Sequence, residues 1–237
     1  MDYISELEKD IRFTEGLNAC LQCGICSAIC PAAEFYNYDP RIIVTTVQER
    51  NNSSIEELLK SETIWYCGQC MSCKTRCPRG NTPGFIIQAL RTLSQKYGFF
   101  TESEKGRQQY AIKKTVGENI LEKGYCVHPD LVAPAFHPEQ GPIWEWVIEH
   151  KEAVYNRFYS NLDQDGAGTL RKIHQKNLDE LARIFEITGT ENFYSIIEQE
   201  SQKKAREMHL QFDETKHNDY FKHVYTHNSN THNNDTK

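Results

Sequence analysis

The chain of 237 residues has no long apolar run and no excess of basic residues. No stretch approaches the ~18 consecutive apolar residues that a membrane-spanning helix needs, so we expect no membrane span. The 27 Lys and Arg are outnumbered by 33 Asp and Glu, which gives a net charge of −6. Because a nucleic-acid-binding domain would be basic, we expect no nucleic-acid partner.

The sequence also lacks the common motifs of catalytic and nucleotide-binding sites. No phosphate-binding loop and no pair of nucleophile and general base is recognisable. A Gly-x-Gly pattern occurs only at Gly166 and Gly168, where no strand is expected to precede it. We therefore expect no catalytic residue and no substrate pocket in this chain.

What the sequence does have is nine cysteines, eight of which form two runs of the spacing Cys-x2-Cys-x2-Cys-x3-Cys-Pro. This is the ligand pattern of bacterial proteins with two [4Fe–4S] clusters, in which the fourth cysteine of each run ligates the other cluster. We apply that rule to this chain and expect two [4Fe–4S] clusters that carry electrons. The ligands are then Cys20, Cys23, Cys26 and Cys77 for the first cluster, and Cys67, Cys70, Cys73 and Cys30 for the second.

Zinc and disulfides are the alternatives for these cysteines. Thiolates are soft ligands that suit zinc as well as iron–sulfur clusters, but zinc modules usually contain two separated Cys-x2-Cys pairs. A structural zinc module is therefore the less favoured interpretation. Disulfide frameworks belong to small secreted domains, and residues 1–14 lack the basic and apolar regions of a signal peptide. Cluster assembly and reduced thiols together indicate the cytoplasm.

Residues 32–66, which separate the two runs, have the pattern of helices. Asp39 is a typical N-cap, and Pro40 suits the first helical position after it. Ser53 or Ser54 is expected to cap a second helix. These features predict that the clusters lie between helices, as in α-helical ferredoxins, and that the fold is all-α.

Three domains follow from the remaining pattern. A helix from Pro83 to about residue 96 closes an α-helical ferredoxin domain at residues 1–97. Residues 98–210 are expected to form a helical extension that binds a partner. Residues 211–237 are rich in His and Asn and poor in apolar residues, which predicts a disordered tail.

Both cysteine runs and their surroundings resemble the C subunit of heterodisulfide reductase over roughly residues 16–97. The resemblance implies an iron–sulfur subunit that relays electrons between a flavin subunit (A-type) and a Cys-rich subunit (B-type) acting on disulfide or sulfane sulfur. It further implies an obligate hetero-oligomer. The longer C-terminal part is similar to heterodisulfide-reductase-like subunits of sulfur oxidisers, which implies a role in sulfur metabolism. The resemblance rests on residues 18–24, 25–31, 38–41 and 61–70.

A second hypothesis is the iron–sulfur subunit of another flavin dehydrogenase, of the glycolate, glycerol-phosphate or fumarate type. These enzymes use the same helical module. The fumarate type adds an N-terminal [2Fe–2S] domain, for which there is no room ahead of Cys20. The glycolate type usually fuses a Cys-rich domain after the clusters, and no such cluster follows Cys77.

Two further groups of residues admit more than one interpretation. Lys74, Arg76 and Arg79 are cations that would raise a nearby cluster's potential, or they lie in a solvated loop, which is favoured.

Cys126 is the ninth cysteine, and we expect an inert, buried thiol rather than a reactive one. His128 and His137 lie near it, but their spacing is a weak indication of a metal site, and a partner-binding loop is favoured.

Overall fold

The computed structural model describes residues 1–132, 134 and 141–226. These residues form helices and connecting loops and contain no strand, so the all-α prediction is confirmed. They divide into two compact units between Arg107 and Gln108, whereas the sequence predicted a boundary after residue 97. The described helices include none long and apolar enough to cross a membrane.

In the first unit, four other helices contact the long helix α7 (Pro83–Lys96), whose inner face supplies much of the core. Ile86, Ile87 and Leu90 on that face are fully buried, at the three- and four-residue intervals of a helix with one apolar face. The helices of this unit are α1 (Tyr3–Leu7), α2 (Ile11–Gly16), α3 (Ile25–Ala28), α4 (Ala32–Phe35), α5 (Pro40–Gln48), α6 (Asn52–Lys60) and α7 (Pro83–Lys96).

The starts of α5 and α6 show how the sequence sets these helices. The Asp39 carboxylate accepts a hydrogen bond from the Arg41 backbone N–H at 2.8 Å, and Pro40 is the first helical residue, as predicted. In α6 the cap is Asn51, which accepts from the backbone N–H groups of Ser53 and Ser54. The predicted serine cap is therefore wrong, because the preceding Asn takes that position.

The core of the second unit contains residues of its long helix and a pair of aromatic rings. Ile197 and Ala205 are buried, as are the aromatic rings of Tyr110 and Tyr220, whose centroids lie 5.4 Å apart. The helix α8 (Glu104–Ile112) crosses the division between the units. The helices that follow are α9 (Glu118–Lys123), α10 (Pro142–Glu149), α11 (Lys151–Arg157), α12 (Gln175–Ile187), α13 (Thr190–Glu207) and α14 (Asp219–Thr226).

The structure differs from the sequence-based expectation within the predicted tail. The helix α14 lies inside the segment 211–237 and buries Tyr220 and Phe221 completely. The Asn218 side chain accepts from the Phe221 backbone N–H at 2.8 Å, as an N-cap does. Residues 227–237 of the predicted tail lie outside the described residues.

Candidate metal centres

The two cysteine loops share an unusual local backbone. Gln22 and Gln69 occupy equivalent places in the two runs, and both have left-handed φ angles, 54° and 55°. Each turns its own backbone N–H toward the sulfur of the first cysteine in its run, Cys20 at 3.3 Å and Cys67 at 3.4 Å. Left-handed backbone is costly for residues other than Gly, so the same strained turn at both places indicates a shared task.

The first cavity has an empty volume of about 390 Å³. Its wall includes the first three cysteines of the first run and the last cysteine of the second run. The Asn81 backbone N–H lies 3.3 Å from the sulfur of that last cysteine. The four sulfur-bearing residues of this cavity are Cys20, Cys23, Cys26 and Cys77.

The second cavity is of nearly equal size, about 380 Å³. Its wall contains the converse set, with three cysteines of the second run and the last of the first. The Ser72 hydroxyl is 3.4 Å from the Cys70 sulfur. The four cysteines here are Cys30, Cys67, Cys70 and Cys73.

Backbone contacts explain why Cys77 faces the cysteines of the other run. The loop that follows Cys77 is tied to the segment ahead of Cys20, since the Thr82 N–H donates to the Gly16 carbonyl at 2.8 Å. The Asn18 N–H donates to the Asn81 side-chain oxygen at 2.7 Å. These two bonds hold the end of the second run against the start of the first.

The walls of both cavities suit iron–sulfur clusters. Each offers four thiols and no carboxylate among its lining residues, a donor set that soft metals prefer over Ca²⁺ or Mg²⁺. All nine cysteines are free of disulfides. Burial raises the thiol pKa of Cys26, Cys30 and Cys73, and metal coordination overcomes such a shift because it deprotonates a thiol outright.

Comparison with known proteins identifies the family. Residues 16–81 match the 4Fe-4S dicluster domain. The C subunit of a ferredoxin:CoB-CoM heterodisulfide reductase from Methanosarcina acetivorans is 37% identical over 62% of this chain and 56% of its own length. The C subunit of a ferredoxin/F420H2-dependent CoB-CoM heterodisulfide reductase from the same organism is 30% identical over 59% of this chain and 81% of its own length.

The chain belongs to the family of heterodisulfide reductase C subunits. It carries two [4Fe–4S] clusters, as the cysteine spacing predicted. A third relative, the iron-sulfur C subunit of the CoB–CoM heterodisulfide reductase of Methanopyrus kandleri, is 28% identical over 58% of this chain and 73% of its own length. The chain thus spans little more than half of the first of these relatives and larger shares of the other two.

In this member of the C-subunit family, two side chains near the second cavity were not singled out by the sequence. Tyr38 lines the cavity with only 5% of its surface exposed. Arg91 on α7 donates from Nε to the Ile64 carbonyl and from Nη2 to the Cys67 carbonyl, each at 2.7 Å. Tyr38 lies in a segment that carries the family resemblance, but nothing in the sequence relates Arg91 to a cysteine 24 residues earlier.

The first cavity has a different charged group in its wall. Arg41 lines it, but its Nη2 is 2.8 Å from the Asp39 carboxylate. The Ser27 hydroxyl also donates to Asp39. The positive charge of Arg41 is therefore already paired within the protein, whereas Arg79, the other cation in this wall, is exposed to solvent.

The cations of the second run are exposed to solvent, but one of them, Arg79, also lines the first cavity. Lys74, Arg76 and Arg79 are exposed. The Lys74 ammonium lies 5.1 Å from the centre of the Phe85 ring, and Arg79 makes a long contact to a backbone carbonyl at 3.4 Å.

The ninth cysteine lies apart from both cavities in sequence and setting. Cys126 is exposed, so the predicted buried thiol is wrong. His128 is buried, with its ring nitrogens near Asp130 at 3.7 Å and Asp163 at 3.4 Å, so one acidic neighbour is local and the other comes from a distant part of the chain. His137 lies outside the described residues.

Proposed function

We propose that this chain is an electron-relay subunit, with Cys20, Cys23, Cys26 and Cys77 ligating one cluster and Cys30, Cys67, Cys70 and Cys73 ligating the other. The supporting observation is the convergence of these two sets in two separate cavities. Pro83 lines both cavities, so an electron crosses little intervening protein. When bound, each [4Fe–4S] cluster supplies one-electron redox chemistry.

The protein's part in this relay is to position, insulate and expose the two sites. Cys23 in one cavity and Cys70 in the other are exposed, whereas their companions are partly buried. Each site therefore has one sulfur edge that a partner subunit can approach. The loops hold the ligands, and the exposed edges give electrons a way in and out.

The proposed partners are a flavin subunit of the A-type and a Cys-rich subunit of the B-type, in a cytoplasmic hetero-oligomer. Support comes from the relatives, which are named as C subunits of CoB-CoM heterodisulfide reductases. The substrate-bearing subunit would act on a disulfide or on sulfane sulfur. The sulfur-oxidiser type stays a prediction from the C-terminal length.

Iron counts in paired variants test the ligand assignment. Two clusters of four iron atoms give about eight iron atoms per chain, and Cys77→Ser should lose about four of them. Cys20→Ser combined with Cys77→Ser should lose no more, because both remove ligands of one cluster. Cys67→Ser combined with Cys77→Ser should lose nearly all the iron.

Cys126→Ser is the matched control and should keep the full iron content, since Cys126 lines neither cluster cavity. The crossed assignment is wrong if Cys77→Ser is additive with Cys20→Ser but not with Cys67→Ser. A colourless preparation with about two zinc ions per chain would reject the relay itself.

Anaerobic purification from the native cell tests the partners. A tagged chain should recover a flavin subunit and a Cys-rich subunit in fixed stoichiometry. Recovery with a glycolate or glycerol-phosphate dehydrogenase instead would support the second hypothesis.

A further inference from the structure

Tyr38 is a buried tyrosine in the wall of the second cluster cavity. Its side chain lines that cavity together with Cys30 and Cys67. The hydroxyl makes no hydrogen bond of normal geometry with any described residue. A buried polar group without a partner costs stability, so a hydroxyl kept in this position indicates a partner within the site.

The chemistry of this hydroxyl makes it a donor. The pKa of an ordinary phenol is about 10, so the hydroxyl keeps its proton at neutral pH. A neutral phenol beside a thiolate donates its hydrogen to the sulfur.

Arg91 adds a positive charge at the same cysteine. Its two hydrogen bonds hold the guanidinium against the carbonyls of Ile64 and Cys67, and it lies over the Trp65 ring at 5.4 Å. No carboxylate is within ion-pair distance of Arg91 in the part of the chain that the structure describes. In the first cavity, by contrast, Asp39 pairs with Arg41, and the other cation in the wall, Arg79, is exposed, so that water screens its charge.

Resting on the proposed ligand assignment, we infer that Tyr38 and Arg91 tune the second cluster, Tyr38 by donating a hydrogen bond to Cys67 Sγ and Arg91 by its unpaired charge, and that both raise its reduction potential. Adding an electron makes a cluster more negative. Hydrogen bonds to its sulfurs and nearby positive charge therefore stabilise the reduced form, and both are recognised determinants of cluster potential.

The first cavity also contains a buried hydrogen-bond donor. The potentials of the two clusters can therefore be compared within one chain. Asn81 is 2% exposed and lines that cavity, and its Nδ2 makes no hydrogen bond with a described residue. A change at Tyr38 leaves this group in place. The inference therefore requires a shift in one cluster and none in the other.

The test is a redox titration of the full chain, in which the reduced clusters are followed by electron paramagnetic resonance. Tyr38→Phe should lower the ratio of reduced to oxidised second cluster about threefold to tenfold at fixed potential. A tenfold change corresponds to 59 mV for a one-electron couple. The Cys73→Ser variant, which retains only the first cluster, identifies which midpoint belongs to the second.

Tyr66→Phe is the matched control. Tyr66 belongs to the same aromatic group, with its ring 6.2 Å from that of Tyr38, but it is not part of the cavity wall. It should leave both midpoints unchanged. The Tyr38 part of the inference is overturned if Tyr38→Phe leaves the second midpoint in place, or if both variants move it equally.

Arg91 gives an independent measurement that decides the matter even if Tyr38→Phe fails to load iron. Arg91→Lys keeps the charge and should hold the midpoint near its native value. Arg91→Gln should lower the reduced-to-oxidised ratio about tenfold. Equal midpoints in these two variants would overturn the inference, whereas failure of the native chain to bind iron would instead reject the proposed function.

Discussion

Four charged side chains lie around His128 in the second unit. Asp130 and Asp163 lie within 3.7 Å of its ring nitrogens, and Lys123 and Lys151 pair with the two carboxylates. The Asp130 backbone N–H donates to His128 Nδ1 at 3.3 Å, which places the proton of the neutral ring on Nε2. The lysines compensate the carboxylates, so the neutral imidazole is the form that fits.

A pH dependence of stability follows from this setting. Burial lowers the pKa of His128 in spite of Asp163, so the folded chain binds this proton less readily than the unfolded chain does. The stabilisation is complete above the unfolded pKa of about 6.5 and is lost as the pH falls from there toward the lower folded pKa. The slope for one such group is at most about 1.4 kcal/mol per pH unit.

Urea denaturation followed by tryptophan fluorescence between about pH 5 and about pH 7.5 measures this effect. His128→Asn keeps a side-chain acceptor for the Asp130 N–H but does not titrate, and it should flatten the dependence. His174→Asn is the control, because His174 is exposed, and it should leave the dependence unchanged. An unchanged slope in His128→Asn would show that other groups cause the acid sensitivity.

Cys126 gives a second prediction for a single residue. Its exposed thiol should react with a maleimide in the native, iron-loaded protein at a stoichiometry of about one per chain, since the other thiols are engaged as metal ligands. Labelling counted by mass spectrometry checks this, and Cys126→Ser should abolish it. Rapid labelling of that variant would mean that a cluster cysteine is free.

Sequence spacing groups the cysteines of each proposed ligand set because three of the four lie within one short loop. The two residues that we infer to tune the second cluster could not be predicted in the same way. Tyr38 and Arg91 approach Cys67 only because α5 and α7 pack together, and no local pattern records that contact. The prediction that Cys126 is buried was wrong because the composition of a loop does not show whether the loop is exposed to solvent.

At the scale of helices, the sequence predicted the helix ends correctly where it contains an unambiguous capping residue or proline. Asp39 with Pro40 fixes the start of α5, and α7 runs from Pro83 to Lys96 as predicted. The helix α14 was not predicted because the high His and Asn content of residues 211–237 indicated disorder. The short sequence Asn-Asp-Tyr-Phe at the start of the helix was too weak a signal to indicate otherwise. The buried Tyr220 of this helix packs against Tyr110 of α8, a contact between distant parts of the chain that no local pattern records.

The helix α14 should contribute measurably to the stability of the second unit. Phe221 is fully buried, and Asn218 at the helix start also donates to the Tyr110 hydroxyl at 3.0 Å. Phe221→Ala should cost about 3–5 kcal/mol, as for a buried phenylalanine. The exposed neighbour Lys222 provides the control, and Lys222→Ala should change the free energy of unfolding by less than about 0.5 kcal/mol.

Chemical denaturation followed by circular dichroism compares the two variants with the native chain. Equal stabilities of Phe221→Ala and Lys222→Ala would show that α14 does not pack as described. The iron content should stay at its native level in both, because every cluster cysteine lies in the first unit.

At the scale of the whole molecule, the division of the chain falls beyond the position that the sequence indicated. The segment after α7 belongs with the first unit because Phe100 is fully buried and the turn Phe99–Glu102 packs on α6 and α7. The Glu62 carboxylate accepts from the backbone N–H groups of Glu104 and Lys105. The sequence after residue 97 is largely polar, so it gives no indication of these contacts.

A pair of truncated chains tests this division. A fragment of residues 1–107 contains all eight cluster cysteines and the buried Phe100, so it should retain about eight iron atoms. A fragment of residues 1–97 keeps the same cysteines but loses Phe100 and the partners of Glu62. Removing a buried phenylalanine costs about 3–5 kcal/mol, and we expect this shorter fragment to unfold at lower urea concentration and to lose iron faster to a chelator. Equal iron retention and equal urea midpoints in the two fragments would place the boundary at residue 97 after all, whereas loss of iron from both would show that the clusters need the second unit.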